Sequence, residues 1–148
     1  MNMCTKAQSR NYVISSFFLF ISLSVLGVFL FFSLFPYRIA HIDSPAEVVS
    51  KEVVAGEALE YRFKAVVFNP YPVVEVRRII TNGVDYIMQP TNPPTPKTGH
   101  VDSIVRSNII PEGIPPGRYK IRFEAVHKVN PVRTMSVFWE TEAFMVIE

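Results

Sequence analysis

Two hydrophobic rhythms divide the chain. From Val13 to Phe35 there are 23 residues with no charge and no Pro, and seven of them are Phe. As a helix this run covers about 34 Å, enough to cross a hydrocarbon core of about 30 Å. Its faces are apolar all round, unlike the single stripe of a surface helix. The pattern predicts a transmembrane helix over 13–35. A cleaved signal peptide has a shorter apolar core and a small-residue cleavage site. Here the run ends in Phe35-Pro36-Tyr37-Arg38.

Beyond residue 48 the period changes to two. In Glu57–Phe68 one face holds Leu59, Tyr61, Phe63, Ala65 and Val67, and the other holds Glu60, Arg62 and Lys64. That is a half-buried strand. Val54-Ala55-Gly56-Glu57 is a turn into it. A second strand covers Val73–Ile80, and Asn82-Gly83 predicts a hairpin to a short return strand, Val84–Met88. Val101–Ile110 follows with a less regular pattern. Arg118–Lys128 alternates cleanly, with Tyr119, Ile121, Phe123 and Ala125 against Lys120, Arg122, Glu124 and Lys128. Val132–Glu140 and Ala143–Ile147 close the chain, with a bulge expected near Thr141-Glu142. About seven short strands with regular turn signals predict an all-β sandwich or barrel.

Four segments result: a tail at 1–12, the transmembrane helix at 13–35, a linker at 36–48 and a β-sandwich domain at 49–148. Between the strands, residues 89–100 contain Pro90, Pro93, Pro94 and Pro96 followed by Lys97. Prolines at this density forbid helix and central strand. A connection of this length is often functional, and prolines reduce the entropy lost on binding. These five residues form the candidate partner-binding loop. An unpaired edge, such as the final strand at Val146-Ile147, is the other candidate contact.

Charge sets the orientation. Lys6 and Arg10 lie in the tail with no acid, which leaves thirteen basic and thirteen acidic residues for the rest of the chain. Positive flanks stay cytoplasmic. The sandwich domain is therefore expected in the periplasm or outside the cell. The one cysteine, Cys4, lies in the tail, so no disulfide supports the exported part.

Gly117-Arg118-Tyr119-Lys120-Ile121 resembles the entry to strand F of immunoglobulin-like domains. The resemblance implies a structural tyrosine corner at Gly117 and Tyr119, with the hydroxyl bonded to nearby backbone. Ile121 stands where antibody-type domains carry Cys, and the single Trp139 is not on strand C. A disulfide-free immunoglobulin-like sandwich is the implied fold. The chain also resembles, in style, small membrane-anchored proteins of bacteria and phages. Domains of this kind commonly bind other proteins.

Chemical motifs are sparse. There is no glycine-rich phosphate loop and no Gly-x-Ser-x-Gly nucleophile turn. Catalytic, cofactor and metal residues are therefore expected to be none. The histidines are His41, His100 and His127. Only His41 has a local acidic neighbour, Asp43, and His127 is expected at a strand end, partly exposed. Met88, Met135 and Met145 raise a copper site as a minor alternative. The bases Arg62, Lys64, Arg77, Arg78, Lys120, Arg122 and Lys128 are expected on solvated strand faces, since a neutral domain offers nucleic acid no net positive field.

These observations predict a non-enzymatic, single-pass module that contacts lipid through 13–35 and binds an envelope or surface protein, or a second copy of itself. The alternatives are a phage-type membrane-active protein and a metal-carrying ectodomain.

Overall fold

The computed structural model describes residues 3–90 and 97–148. The chain forms two compact units, Met1–Pro36 and Tyr37–Glu148.

The first unit is one helix, α1 (Met3–Leu34). Within it Ser15–Leu34 has a mean hydropathy of 2.5 and none of it is buried, so it is long and apolar enough to cross a bilayer. The helix starts at Met3, so from there the expected tail continues the helix. Ser24 returns its hydroxyl to the Phe20 carbonyl at 2.9 Å, which removes a polar group from the apolar surface. Pro36 stops the helix because it has no amide hydrogen to give.

Among the described residues the second unit has ten strands: β1 (Ala40–Ile42), β2 (Glu47–Val48), β3 (Glu52–Val54), β4 (Ala58–Val67), β5 (Val73–Thr81), β6 (Asp85–Ile87), β7 (Gly99–Ile109), β8 (Gly117–Asn130), β9 (Arg133–Glu140) and β10 (Phe144–Ile147). They lie in two sheets. In the first, β4 pairs with β1 and β2 along one side and with β7 along the other. In the second the order is β3-β10-β8-β5-β6, and β9 also pairs with β8. All pairings between these strands are antiparallel except β10 with β3. The seven expected strands are β4 to β10, and β1 to β3 come from residues 40–54.

The stretch expected as a linker, 36–48, is folded in from Ile39 onward. Ile39, Ala46 and Val48 are buried, and β1 and β2 bond to β4. Sequence periodicity misses them because each strand is too short to show alternation.

The core lies between the sheets. Leu59, Ile80, Ile110, Tyr119, Ile121, Phe144 and Val146 are its most deeply buried side chains. Alternation in β4 and β8 places the expected residues inward. The Asn82-Gly83 hairpin forms, with Gly83 at φ +109°, and its loop runs from Thr81 to Asp85. At Gly56 the φ of +92° lets the chain turn from β3 into β4, closed by the bond from Glu57 N–H to Val54 C=O at 3.0 Å.

The last strand is not an edge. β10 pairs with β3 on one side and β8 on the other, so Val146-Ile147 offers no free ladder. The irregularity expected at Thr141-Glu142 is a break between β9 and β10. Thr141 is fully buried there. Its amide donates to Ile121 C=O at 2.9 Å, and its hydroxyl oxygen accepts from Ile121 N–H at 3.0 Å.

Candidate functional site

The two sheets are not sealed against each other along their whole length. Between them lies a cleft of about 350 Å³, lined from β1, β4 and β7 on one side and β5, β8 and β9 on the other. Four aromatic side chains form much of its wall. Phe123 and Trp139 stack with ring centres 4.9 Å apart, Tyr61 lies 5.2 Å from Phe123, and Phe63 lies 6.1 Å from Trp139. Strand alternation explains the set: Tyr61 and Phe63 share the inward face of β4, and Phe123 meets Trp139 directly across the β8–β9 ladder.

Polar groups enter this wall from two strands. Arg78 and Asn108 point inward from β5 and β7. One Arg78 guanidinium nitrogen donates to the Asn108 side-chain oxygen, and another donates to the Gln89 carbonyl at 2.6 Å. Asn108 then turns its NH2 toward Tyr61, donating to the phenol oxygen at 2.8 Å. Burial raises the Tyr61 pKa. Asn108 and the positive charges of Arg78 and Arg106 oppose that rise without cancelling it.

Two donors are left over. Arg78 Nε and Trp139 Nε1 are both buried with no hydrogen-bond partner among the described residues. Buried donors are nearly always paired, so two on residues lining one cleft are unusual. Among the described lining residues the charged side chains are Arg78 and Arg106, and none is acidic.

The cleft was not anticipated from sequence, and Arg78 was misassigned to a solvated face. A signal existed. Arg77 and Arg78 are adjacent on one strand, so a period of two must send one of them inward. Arg77 faces out and pairs with Glu75 at 3.1 Å and Glu124 at 3.4 Å. The other expected surface bases behave as predicted at Arg62, Lys64, Arg122 and Lys128, which are exposed. Lys120 is half-buried and pairs with Glu140 at 2.8 Å.

His127 is buried, because β8 continues to Asn130 and leaves it inside the strand. Its Nδ1 lies 3.2 Å from the Tyr71 carbonyl, a bond that requires the proton on Nδ1. His41 and Asp43 form an exposed pair at 3.6 Å. Met88 packs against the core, while Met145 is exposed. No three His, Cys, Asp or Glu side chains converge among the described residues.

Of the proposed contact loop, Pro93, Pro94 and Pro96 lie outside the described residues, and Pro90 and Lys97 on its flanks are exposed. Gly117 and Tyr119 do come together. Tyr119 is buried, and its hydroxyl donates to the Pro115 carbonyl at 2.9 Å. Its ring lies over Gly117, where a Cβ would meet ring carbon Cε2 at 3.4 Å.

A second surface feature is the edge at β7. This strand has 11 residues and pairs with β4 alone among the described residues. Val105 and Ile109 on it are exposed. The other long one-sided strand, β9, has 8 residues.

No protein-family model matches the chain, and no curated protein matches it.

Proposed function

We propose that the chain is a single-pass, membrane-anchored, non-enzymatic binding module with an immunoglobulin-like body held outside the cytoplasm, and that it engages a partner protein of the cell envelope. The observation carrying this reading is β7, a long strand bonded on one side among the described residues and apolar at Val105 and Ile109. Unpaired edges of this kind template pairing with another chain.

The immunoglobulin-like assignment is supported by strand order. β4 and β7 share one sheet, β5, β8 and β9 share the other, and the chain passes from β7 to β8 through the 111–116 corner. That order fits the B–E and C–F–G division of such domains, with the Tyr119 hydroxyl bonded back to that corner. The anchor assignment is supported by the apolar helix Ser15–Leu34. The outward placement of the body is supported by Lys6 and Arg10 in the tail.

The test places a photo-crosslinking amino acid at Val105 or Ile109 in the full chain in its native membrane. A discrete adduct from these positions is expected, absent when the probe sits at Val84 in the β5–β6 hairpin. Ile109→Lys, added to the Val105 probe, is expected to abolish it, because a charge on an edge blocks pairing. No adduct from β7, or equal adducts from Val84, overturns the reading.

A further inference from the structure

We propose that the cleft between the sheets is a binding site for an alkyl carboxylate: one apolar chain carrying one carboxylate head. The apolar chain matches the wall. Phe63, Val76, Ile104, Phe123, Val137 and Trp139 line the cleft, and its volume of about 350 Å³ lies at the small end of ligand pockets. A single chain fits that size better than a two-chain lipid.

The head group follows from the donors. Arg78 Nε and Trp139 Nε1 are buried N–H groups without an acceptor among the described residues. Tyr61 supplies a third. Arg78 holds the Asn108 oxygen, so Asn108 presents its NH2 to Tyr61, and Tyr61 must accept that bond. The phenol proton then remains available to donate. These donors belong to three side chains that line the cleft, and a group that serves them when they turn toward it must accept; an ionised carboxylate only accepts.

Charge points the same way. Among the described residues Arg78 bonds only to neutral oxygens, those of Asn108 and Gln89, and no described lining residue is acidic. A half-buried cation against an apolar wall calls for an anionic partner. Arg106, exposed on the same lining, adds a second positive charge. An alkyl alcohol would leave this field unanswered, and an alkylammonium ion would oppose it.

Trp139 is the only Trp in the chain, so tryptophan emission reports on the cleft directly. The full chain, reconstituted in phosphatidylcholine vesicles, is titrated with dodecanoate brominated in mid-chain, which quenches on contact. Saturable quenching is expected, and the matching brominated dodecanol should need at least tenfold higher concentration. Arg78→Met should reduce the preference for the carboxylate by at least tenfold. Ala40→Phe, which fills the cleft from β1, should abolish saturation for both ligands. Circular dichroism confirms that each variant is folded, and the comparison of the two ligands on the unaltered chain needs no variant at all. Equal saturation by carboxylate and alcohol, or no quenching by the carboxylate, overturns the proposal. β7 gives the cleft Ile104, Arg106, Ser107 and Asn108 but not Val105 or Ile109, so crosslinking from Ile109 and quenching at Trp139 are read at different side chains and can succeed or fail separately.

Discussion

Tyr61 shows how one side chain can carry both packing and polarity. Its ring joins Phe63 and Phe123 in the wall, and its hydroxyl meets Asn108. Burial disfavours the phenolate, so the folded pKa lies above the ordinary value of about 10. The consequence for stability has a definite sign. Below that ordinary value the tyrosine is protonated in both folded and unfolded chains and pH has no effect through it. Above it the unfolded chain loses the proton first, so the folded state holds more protons and stability falls as pH rises. Tyr119, also pushed up by burial, acts in the same direction. Chemical denaturation followed by Trp139 emission is expected to show declining stability above about pH 10. Tyr61→Phe should make that decline shallower, and an unchanged slope would mean that Tyr61 ionises as freely folded as unfolded. At this scale the sequence was half legible. Alternation gave Tyr61, Phe63 and Phe123 their inward side. The inward cation on β5 was hidden because Arg77 and Arg78 look alike until strand parity is applied to each.

Strand β8 organises the body. Its 14 residues carry β10 on their first turns of ladder, β9 on the remainder along the same side, and β5 opposite. The changeover from β9 to β10 would leave one ladder position open at Ile121. Thr141 fills it: its amide donates to the Ile121 carbonyl, and its hydroxyl oxygen accepts from the Ile121 amide. Both residues are fully buried, so no water replaces a lost partner. Thr141→Val keeps the volume but removes the acceptor, stranding the Ile121 N–H. A loss of about 1–3 kcal/mol is expected, measured as the change in denaturation free energy. Thr141→Ser keeps the oxygen and should lose less. Equal losses for the two would show that the methyl group, not the hydroxyl, is what matters. Long strands such as β4 and β8 were legible because ten or more alternating residues leave one period in doubt-free form. The short strands β1 and β2 were not, since two or three residues carry no period and their burial is imposed by β4. The break at Thr141 was visible only as an irregularity, because what it does depends on the strand beside it.

At the scale of the whole molecule, the chain holds two surfaces suited to different solvents. Ser15–Leu34 exposes apolar side chains on every side, while the body from Tyr37 onward buries its apolar positions between sheets. Placing the helix in lipid would remove the first surface from water, and flanking positive charge would then favour one direction of insertion. In the proposed orientation Lys6 and Arg10 keep the N-terminus on the cytoplasmic side, and Arg38 on the opposite flank works against them. The single cysteine gives a direct measurement, since Cys4 lies in that tail. A membrane-impermeant maleimide should leave intact spheroplasts unlabelled and label them after permeabilisation. With Cys4→Ser and Lys51→Cys combined, the label should react from outside without permeabilisation, because Lys51 is exposed on the body. Changing both Lys6 and Arg10 to Glu leaves Arg38 as the dominant flanking charge, and a substantial share of chains should then insert the other way round. Labelling of Cys4 in intact spheroplasts would place the body in the cytosol, where an envelope partner could not reach β7.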